Sequence, residues 1–280
     1  MKWIPGYQSD NVDDRRGASG GGMPGGRLGL GGIIILVILS LVFKRDFLSL
    51  AGGLGSDGSA GDSGAPPVST PAEDSTKQFV SFVLDDAQKS WAETFSRNGE
   101  QYEDARLVLF RDGVQSACGF AQSATGPFYC PGDSRVYIDL GFYDELRERF
   151  GAPGDFAEAY VLAHEIGHHV QHLLGTEGEV RRLQEQNPGQ VNNYSVALEL
   201  QADCYAGVWA HSAQARGLLD PGDVEEGLNA AAAVGDDRIQ RMGGGYVNPD
   251  AFTHGTSAQR SSWFKRGFQS GDPRQCQTMK

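Results

Sequence analysis

Basic residues are scarce in this chain, and several common signatures of function are missing. The 24 lysines and arginines are outnumbered by 36 aspartates and glutamates, which gives a net charge of −12. Because binding to phosphate backbones needs a basic surface, we expect no nucleic-acid partner. No glycine loop is followed by Lys-Ser or Lys-Thr, so nucleotide hydrolysis is not indicated. No two cysteines have CxxC spacing, which leaves little support for a cysteine zinc site.

Length and composition predict one folded domain behind N-terminal appendages. A chain of 280 residues can build one medium domain with a proper core. Residues 1–27 are Gly-rich and polar, without a packing pattern, and are predicted to be disordered. Residues 44–75 consist mainly of Gly, Ser, Ala, Pro and Asp, which predicts a flexible linker. The domain is predicted at residues 76–280.

Residues 28–43, LGLGGIIILVILSLVF, contain no charge and are predicted to form a single-pass transmembrane anchor. Sixteen helical residues span about 24 Å, somewhat short of a ~30 Å hydrocarbon core, which a thinned bilayer or snorkelling side chains can accommodate. Four basic residues precede the run and two follow it closely, which favours a cytoplasmic N-terminus. A cleaved signal peptide is the alternative, with Ser49-Leu50-Ala51 as cleavage site. The charged Lys44-Arg45-Asp46 before that site argues against cleavage.

The motif His164-Glu165-Ile166-Gly167-His168 lies in a run without proline that predicts a helix ending near Gly175. Positions four apart on a helix differ by about 40°, so His164 and His168 can grip one cation through their imidazole nitrogens. Glu165 projects beside the pair, where its carboxylate can take a proton from water. The pattern predicts a catalytic zinc site.

A second predicted helix, residues 195–210, supplies the missing ligand. Glu199 and Asp203 are four apart on this mostly apolar segment. Two buried carboxylates would carry a large desolvation cost unless a cation neutralised them. We therefore predict Glu199 as the third ligand and Asp203 as the acceptor that orients a ligand histidine through its other nitrogen. A solvated acidic stripe is the simpler alternative.

These residues resemble a known group. The sequence HEIGHH, followed about thirty residues later by ELQADCYAG, looks like the bacterial membrane-anchored family of neutral zinc metallopeptidases. More distantly it is similar to gluzincins, in which two histidines and a downstream glutamate bind zinc. The resemblance extends from about residue 76 to the end, plus the apolar segment, and includes the motifs at 126–131, 136–139 and 252–260. It implies a zincin-like fold and one zinc ion per chain.

Three further groups are weighed as site residues. His169 and His172 are interpreted as surface or supporting groups, since three ligands are already assigned. His254 lies in a polar, Gly-containing loop near Arg260, and either could donate to the oxyanion of a peptide-hydrolysis intermediate. A loop-stabilising role is an equal alternative for both. His211 is expected to be solvated.

Four cysteines, an even count, fit an oxidising compartment. Cys118 and Cys130 lie on predicted neighbouring strands and form the natural pair. Cys204 would then join Cys276 and tie the C-terminal tail to the second metal-ligand helix. Four reduced buried thiols are the alternative.

The predicted elements begin with a helix capped by Ser75 or Thr76. A small antiparallel sheet follows, with strands near 105–110, 114–118, 128–130 and 135–140, and then mostly helices. This order predicts an α+β class, here a zincin-like metallopeptidase domain with active-site helices behind one transmembrane helix. An extended peptide could add to a sheet edge that faces the metal, although the sequence leaves that edge unassigned.

We therefore expect a membrane-tethered zinc endopeptidase with polypeptide substrates and Glu165 as general base. The expected location is the bacterial inner membrane, with the protease domain in the periplasm. The alternative is a metal-stabilised peptide-binding or scaffold module with little turnover. Glu165 discriminates between them, because a purely structural zinc needs no carboxylate beside its water.

Overall fold

A computed structural model describes residues 1–17 and 69–279. Its strands are β1 (Val12–Asp14), β2 (Arg106–Phe110), β3 (Gly113–Ser116), β4 (Gly119–Gln122), β5 (Phe128–Cys130) and β6 (Arg135–Asp139). Its helices are α1 (Pro71–Arg97), α2 (Gly141–Glu148), α3 (Asp155–Leu173), α4 (Thr176–Gln186), α5 (Val191–Ala215), α6 (Asp223–Ala233), α7 (Asp236–Met242) and α8 (Ser257–Ser270). The described residues thus combine helices and strands.

The main sheet is mixed, and the predicted small antiparallel sheet is wrong. Its order is β1-β2-β6-β5, and only β5 runs antiparallel to its neighbour. Strand β3, in the segment predicted near 114–118, is not part of this sheet but pairs with β4 in a separate hairpin. Asp112, at positive φ, donates its backbone N–H to Asp139 at the end of β6. The chain therefore leaves the sheet here instead of folding back along β2.

The two faces of the sheet pack against different partners. Leu107, Leu109 and Ile138 belong to the large core shared with the helices. Val108 and Tyr137 point the other way, into a smaller core that includes residues of the β3–β4 hairpin. Because side chains alternate along a strand, each strand covers both cores, and the sheet is buried on both sides.

Helix α1 begins earlier than the sequence predicted. Thr70 forms a capping box with Glu73, and Pro71 occupies the first turn. Proline is compatible with this position because its missing N–H would have no helical partner there. The last residues of the predicted linker therefore belong to the helix.

Helix α3, which carries the HExxH motif, packs against α1, α5, α6 and β5. Helices α5 and α8 approach each other closely through Gly207 and Gly267. A Cβ on Gly267 would lie 1.9 Å from the carbonyl oxygen of Cys204. Two glycines at the crossing thus allow α8 to reach the back of the metal site.

Residues 1–17 differ from the predicted disordered segment, because they pack on the domain. Strand β1 pairs with β2, and Met1 is buried. Tyr7 and Ser9 donate hydrogen bonds to Asp85 of α1, at 3.0 and 2.7 Å. The Gly-rich composition of the whole leader hid this short segment, whose partners lie far along the chain.

The structure contradicts the predicted transmembrane helix and the predicted periplasmic location. In residues 1–17 and 69–279, no helix is both long and apolar enough to cross a membrane. The predicted anchor, residues 28–43, lies outside the described residues. The β1–β2 pairing supplies a physical reason against the predicted topology. Paired strands lie about 4.8 Å apart, whereas one crossing between them would separate them by ~30 Å of hydrocarbon.

Both expected disulfides are present in the structure. Cys118 pairs with Cys130, with their Cα atoms 5.8 Å apart, and Cys204 pairs with Cys276 at 5.5 Å. The second bridge holds the C-terminal tail against α5, beside the residues that surround the metal site.

Candidate metal centre

Two histidines on one face of α3 supply two of the three side chains of the candidate centre. The Nε2 atoms of His164 and His168 lie 3.2 Å apart. Most of α3 is buried, because the sheet and three helices enclose it. The histidines are thus held inside the protein at helical spacing, and their rings converge on one point.

Glu199 of α5 completes the cluster. Its carboxylate oxygens lie 3.2 Å from Nε2 of His164 and 3.4 Å from Nε2 of His168. One ligand atom from each residue falls within 4.8 Å of the other two. The structure therefore brings together the three residues that the sequence predicted as ligands.

The outer nitrogen of His164 is held by a buried ion pair. Its Nδ1–H donates to Asp203 at 2.9 Å, and Asp203 is fully buried. Arg260 of α8 donates to both oxygens of Asp203, at 2.8 and 2.9 Å, and the Tyr160 hydroxyl donates to the same carboxylate. Asp203 thus occupies the predicted supporting position. Arg260, considered from sequence as an oxyanion donor, is instead committed to Asp203.

The outer nitrogen of His168 is held by amides, which the sequence reasoning missed. Its Nδ1–H donates to Gln171 at 2.9 Å, and the Gln171 amide donates to Gln201 at 3.0 Å. The Gln201 amide donates in turn to the carbonyl of Cys276 at 3.0 Å. The sequence does contain a signal for these amides. Gln171 lies three residues after His168, and Gln201 lies two residues after Glu199, each on a mostly apolar predicted helix.

Comparisons with known proteins identify the family. A family model described as "Putative neutral zinc metallopeptidase" matches residues 1–279. The chain belongs to this family. It is 50% identical over 284 residues to "Uncharacterized protein YpfJ" of Escherichia coli K12, covering 99% of this chain and 98% of that protein. It is 47% identical over 188 residues to "Uncharacterized protein Mb2605" of Mycobacterium bovis, covering 63% of each chain. No solved structure matches.

The donor set fits the zinc that this metallopeptidase family implies. Two nitrogens and one carboxylate oxygen are a common ligand set for catalytic zinc. The two Nε2 atoms lie 3.2 Å apart, and each lies 3.2–3.4 Å from one of the two Glu199 carboxylate oxygens, so all three residues can reach one ion. Three protein ligands also leave one position for water or substrate. His164, His168 and Glu199 would therefore hold the ion.

Burial and opposite charges set the ionisation of the cluster. Burial lowers the pKa of His164, but Asp203 and Glu199 outweigh it and raise that pKa to about 9. Burial raises the pKa of Glu199, but His168 and His164 outweigh it and hold the pKa well below its usual range. Burial raises the pKa of Glu165, against the opposing effect of the two histidines. Glu165 is thus a stronger base than an exposed glutamate.

His254 lies beside the candidate ligands, at a cavity of about 380 Å³ that Glu199 also lines. Its Nδ1–H donates to Asp236 at 3.1 Å. Asp236 also accepts the backbone N–H groups of Thr253, His254 and Gly255, at 2.7–3.0 Å. The hydrogen bond to Asp236 raises the pKa of His254. The imidazole is therefore oriented, and within the described part of the chain its Nε2 forms no hydrogen bond.

The other histidines serve packing contacts. His169 is buried and bonds the Tyr129 hydroxyl at 3.0 Å. His172 contacts Glu177 at 3.2 Å, and His211 donates to the carbonyl of Phe268 at 2.7 Å. Each bond lies away from the three candidate ligands.

A second carboxylate group, Asp155, Asp223 and Glu226, also has metal-like spacing. The Met1 ammonium lies 2.7 Å from Asp155 and 3.3 Å from Asp223. The Met1 ammonium thus already pairs with two of these three carboxylates at the start of α3.

Proposed function

We propose that this chain is a zinc-dependent endopeptidase that uses the cluster on α3 and α5. The observation that carries the proposal is the convergence of His164, His168 and Glu199 on one point, with Glu165 next to the first ligand. Zinc bound there would polarise a scissile carbonyl and acidify water. Residues of this chain supply the remaining steps.

Glu165 is the proposed general base and later the proton donor. Its side chain is 6% exposed and makes no hydrogen bond to another described residue. Because burial raises its pKa, its carboxylate can accept the proton of the attacking water. The protonated carboxyl can then pass that proton to the leaving amine, which restores the starting state.

His254 is the proposed donor to the oxyanion that forms at the attacked carbonyl. Its Nδ1–H is committed to Asp236, whose carboxylate favours the imidazolium form by raising the pKa of His254, and in that form the Nε2–H is the donor available to substrate. A preoriented donor costs no reorganisation when charge develops, which is how such groups stabilise a transition state.

The β5 edge is the proposed docking line for an extended peptide. In the described sheet β1 and β5 are the edges, and β5 packs against α3. Pro131, the residue after β5, lines the same cavity as Glu199 and His254. A peptide paired with β5 would thus run beside the ligands, held by backbone hydrogen bonds.

Replacing Glu165 tests the proposal. The zinc-loaded Glu165→Gln variant should keep its zinc and fold but hydrolyse denatured casein at least about a hundredfold more slowly than the wild type. Glu179→Gln, an exposed glutamate on α4, is the control and should retain full activity. Equal hydrolysis by Glu165→Gln and the wild type would contradict Glu165 as the general base, and no hydrolysis by either zinc-loaded protein would favour the peptide-binding module.

A further inference from the structure

The cavity beside the candidate metal centre is lined by charged side chains from three parts of the chain. Glu199 comes from α5, Glu177 and Arg181 from α4, and His254 from the loop before α8. Its volume of about 380 Å³ is enough for one or two amino-acid side chains. Because Glu199 is a wall of this cavity, a group bound there would lie close to the scissile bond of a peptide on the metal.

The charges in this cavity differ in whether they already have partners. The Glu177 carboxylate contacts Nδ1 of His172 at 3.2 Å, and Glu199 contacts the two ligand histidines. Arg181 is exposed and, within residues 1–17 and 69–279, forms neither a hydrogen bond nor an ion pair. The guanidinium therefore remains open to a ligand, and unlike the open Nε2 of His254 it is not assigned to the oxyanion.

We infer that Arg181 recognises a carboxylate of the peptide substrate, so that this cavity selects an acidic group near the scissile bond. The inference rests on the proposed endopeptidase function. A guanidinium presents paired N–H donors that match the two oxygens of a carboxylate. The chain as a whole carries a charge of −12, so long-range attraction does not favour acidic peptides and recognition has to be local.

Two sources of carboxylate fit this chemistry: an Asp or Glu side chain, and the C-terminal carboxylate of a short peptide. An Asp or Glu side chain could be recognised at any position along a longer polypeptide. The C-terminus would restrict cleavage to a fixed distance from the peptide end. Comparing free and amidated C-termini separates these sources.

A peptide library derived from a digested proteome, half of it amidated, tests the inference in the full-length zinc-loaded protein. Wild-type cleavage sites should be enriched in Asp or Glu within about three residues of the cut, or should lie near free C-termini. Arg181→Gln should reduce kcat/KM for these peptides about three- to tenfold, mainly through KM. Arg182→Gln removes a neighbouring exposed charge that does not line the cavity, and it should leave the preference unchanged.

A binding measurement separates this inference from the proposed function. Zinc-loaded Glu165→Gln, immobilised and exposed to the same library, should retain acidic peptides, and adding Arg181→Gln should abolish that selection. Selective retention without any wild-type cleavage would contradict the endopeptidase and keep the carboxylate site. Cleavage without acidic preference, or a preference that survives Arg181→Gln, would overturn the carboxylate site and keep the endopeptidase.

Discussion

At the scale of single residues, the two histidines proposed as ligands are held by different chemistry. His164 faces the carboxylate of Asp203, whose charge Arg260 balances. His168 faces the neutral amide of Gln171. Outer hydrogen bonds of this kind fix the ring orientation and the tautomer of a ligand histidine. The anionic partner makes His164 the more basic of the two ligands, while the amide orients His168 without adding charge.

The amide contact to His168 gives a testable prediction. Gln171→Leu removes the acceptor for Nδ1–H and should weaken zinc binding about ten- to a hundredfold, as measured by competition with a chelator. Gln88→Leu is the control, because Gln88 is a similarly buried amide on α1 that bonds the backbone of Ala105. It should lower the free energy of unfolding without changing the zinc Kd. An unchanged Kd in Gln171→Leu would remove this residue from the metal site.

At the scale of helices, the site depends on how closely α8 approaches α5. Gly267→Ala would place a methyl group 1.9 Å from the Cys204 carbonyl oxygen. We expect the free energy of unfolding, measured by urea titration, to fall by about 3 kcal/mol. The zinc Kd should also rise, because α8 carries Arg260. Gly178→Ala, on α4 with nothing within 4 Å of the new methyl, should instead stabilise by about 0.5–1 kcal/mol. Unchanged stability in Gly267→Ala would contradict the described crossing.

Helix α3 also carries a carboxyl with a strongly shifted pKa outside the metal cluster. Burial raises the pKa of Glu158 from 4.5 to about 7. The folded state therefore binds a proton more tightly than the unfolded state. The stability that the folded state gains from this tighter proton binding is fully present below pH ~4.5 and is lost as the pH rises through ~7. Glu158→Gln should raise the free energy of unfolding at pH 8.5 by up to about 3 kcal/mol and change little at pH 4.5. Urea titrations at both pH values measure this change in the free energy of unfolding, with Glu179→Gln as the control. An equal change at pH 4.5 and pH 8.5 would contradict the raised pKa of Glu158.

At the scale of the whole molecule, the disulfides connect distant parts of the chain. Cys204–Cys276 spans 72 residues and Cys118–Cys130 spans 12. Replacing both cysteines of the longer loop by Ala should lower the free energy of unfolding by about 4 kcal/mol, against about 3 for the shorter loop. Only the loss of Cys204–Cys276 should also weaken zinc binding, because Gln201 bonds the Cys276 carbonyl and Asp203 adjoins Cys204. Equal zinc Kd values in both double variants would refute this link.

The N-terminal segment acts at the same scale. Residues 1–17 add a strand to the sheet and place Met1 against the start of α3. Their partners include Asp85 on α1 and Asp155 on α3. The segment therefore ties together the sheet, the first helix and the helix that carries the HExxH motif.

The local patterns of the sequence determined the elements of the site. The four-residue spacing of His164 and His168 matches the helical period, so both ligands share one face whatever packs around them. Glu199 and Asp203 repeat that spacing on an apolar helix, where two carboxylates need a cation. The pairing of the cysteines was also anticipated, from short strands predicted to be neighbours, although Cys118 lies in the turn between β3 and β4. These inferences needed only periodicity and the cost of burying charge.

Tertiary structure alone decided how those elements combine. The parallel pairing of β1, β2 and β6 joins segments far apart in the chain, and strand periodicity carries no information about which strands become neighbours. Arg260 and Gln171 acquire their roles only when three helices meet around the two histidines. The same holds for residues 1–17, whose composition predicted disorder. Their order comes from contacts with a surface that exists only after the domain has folded.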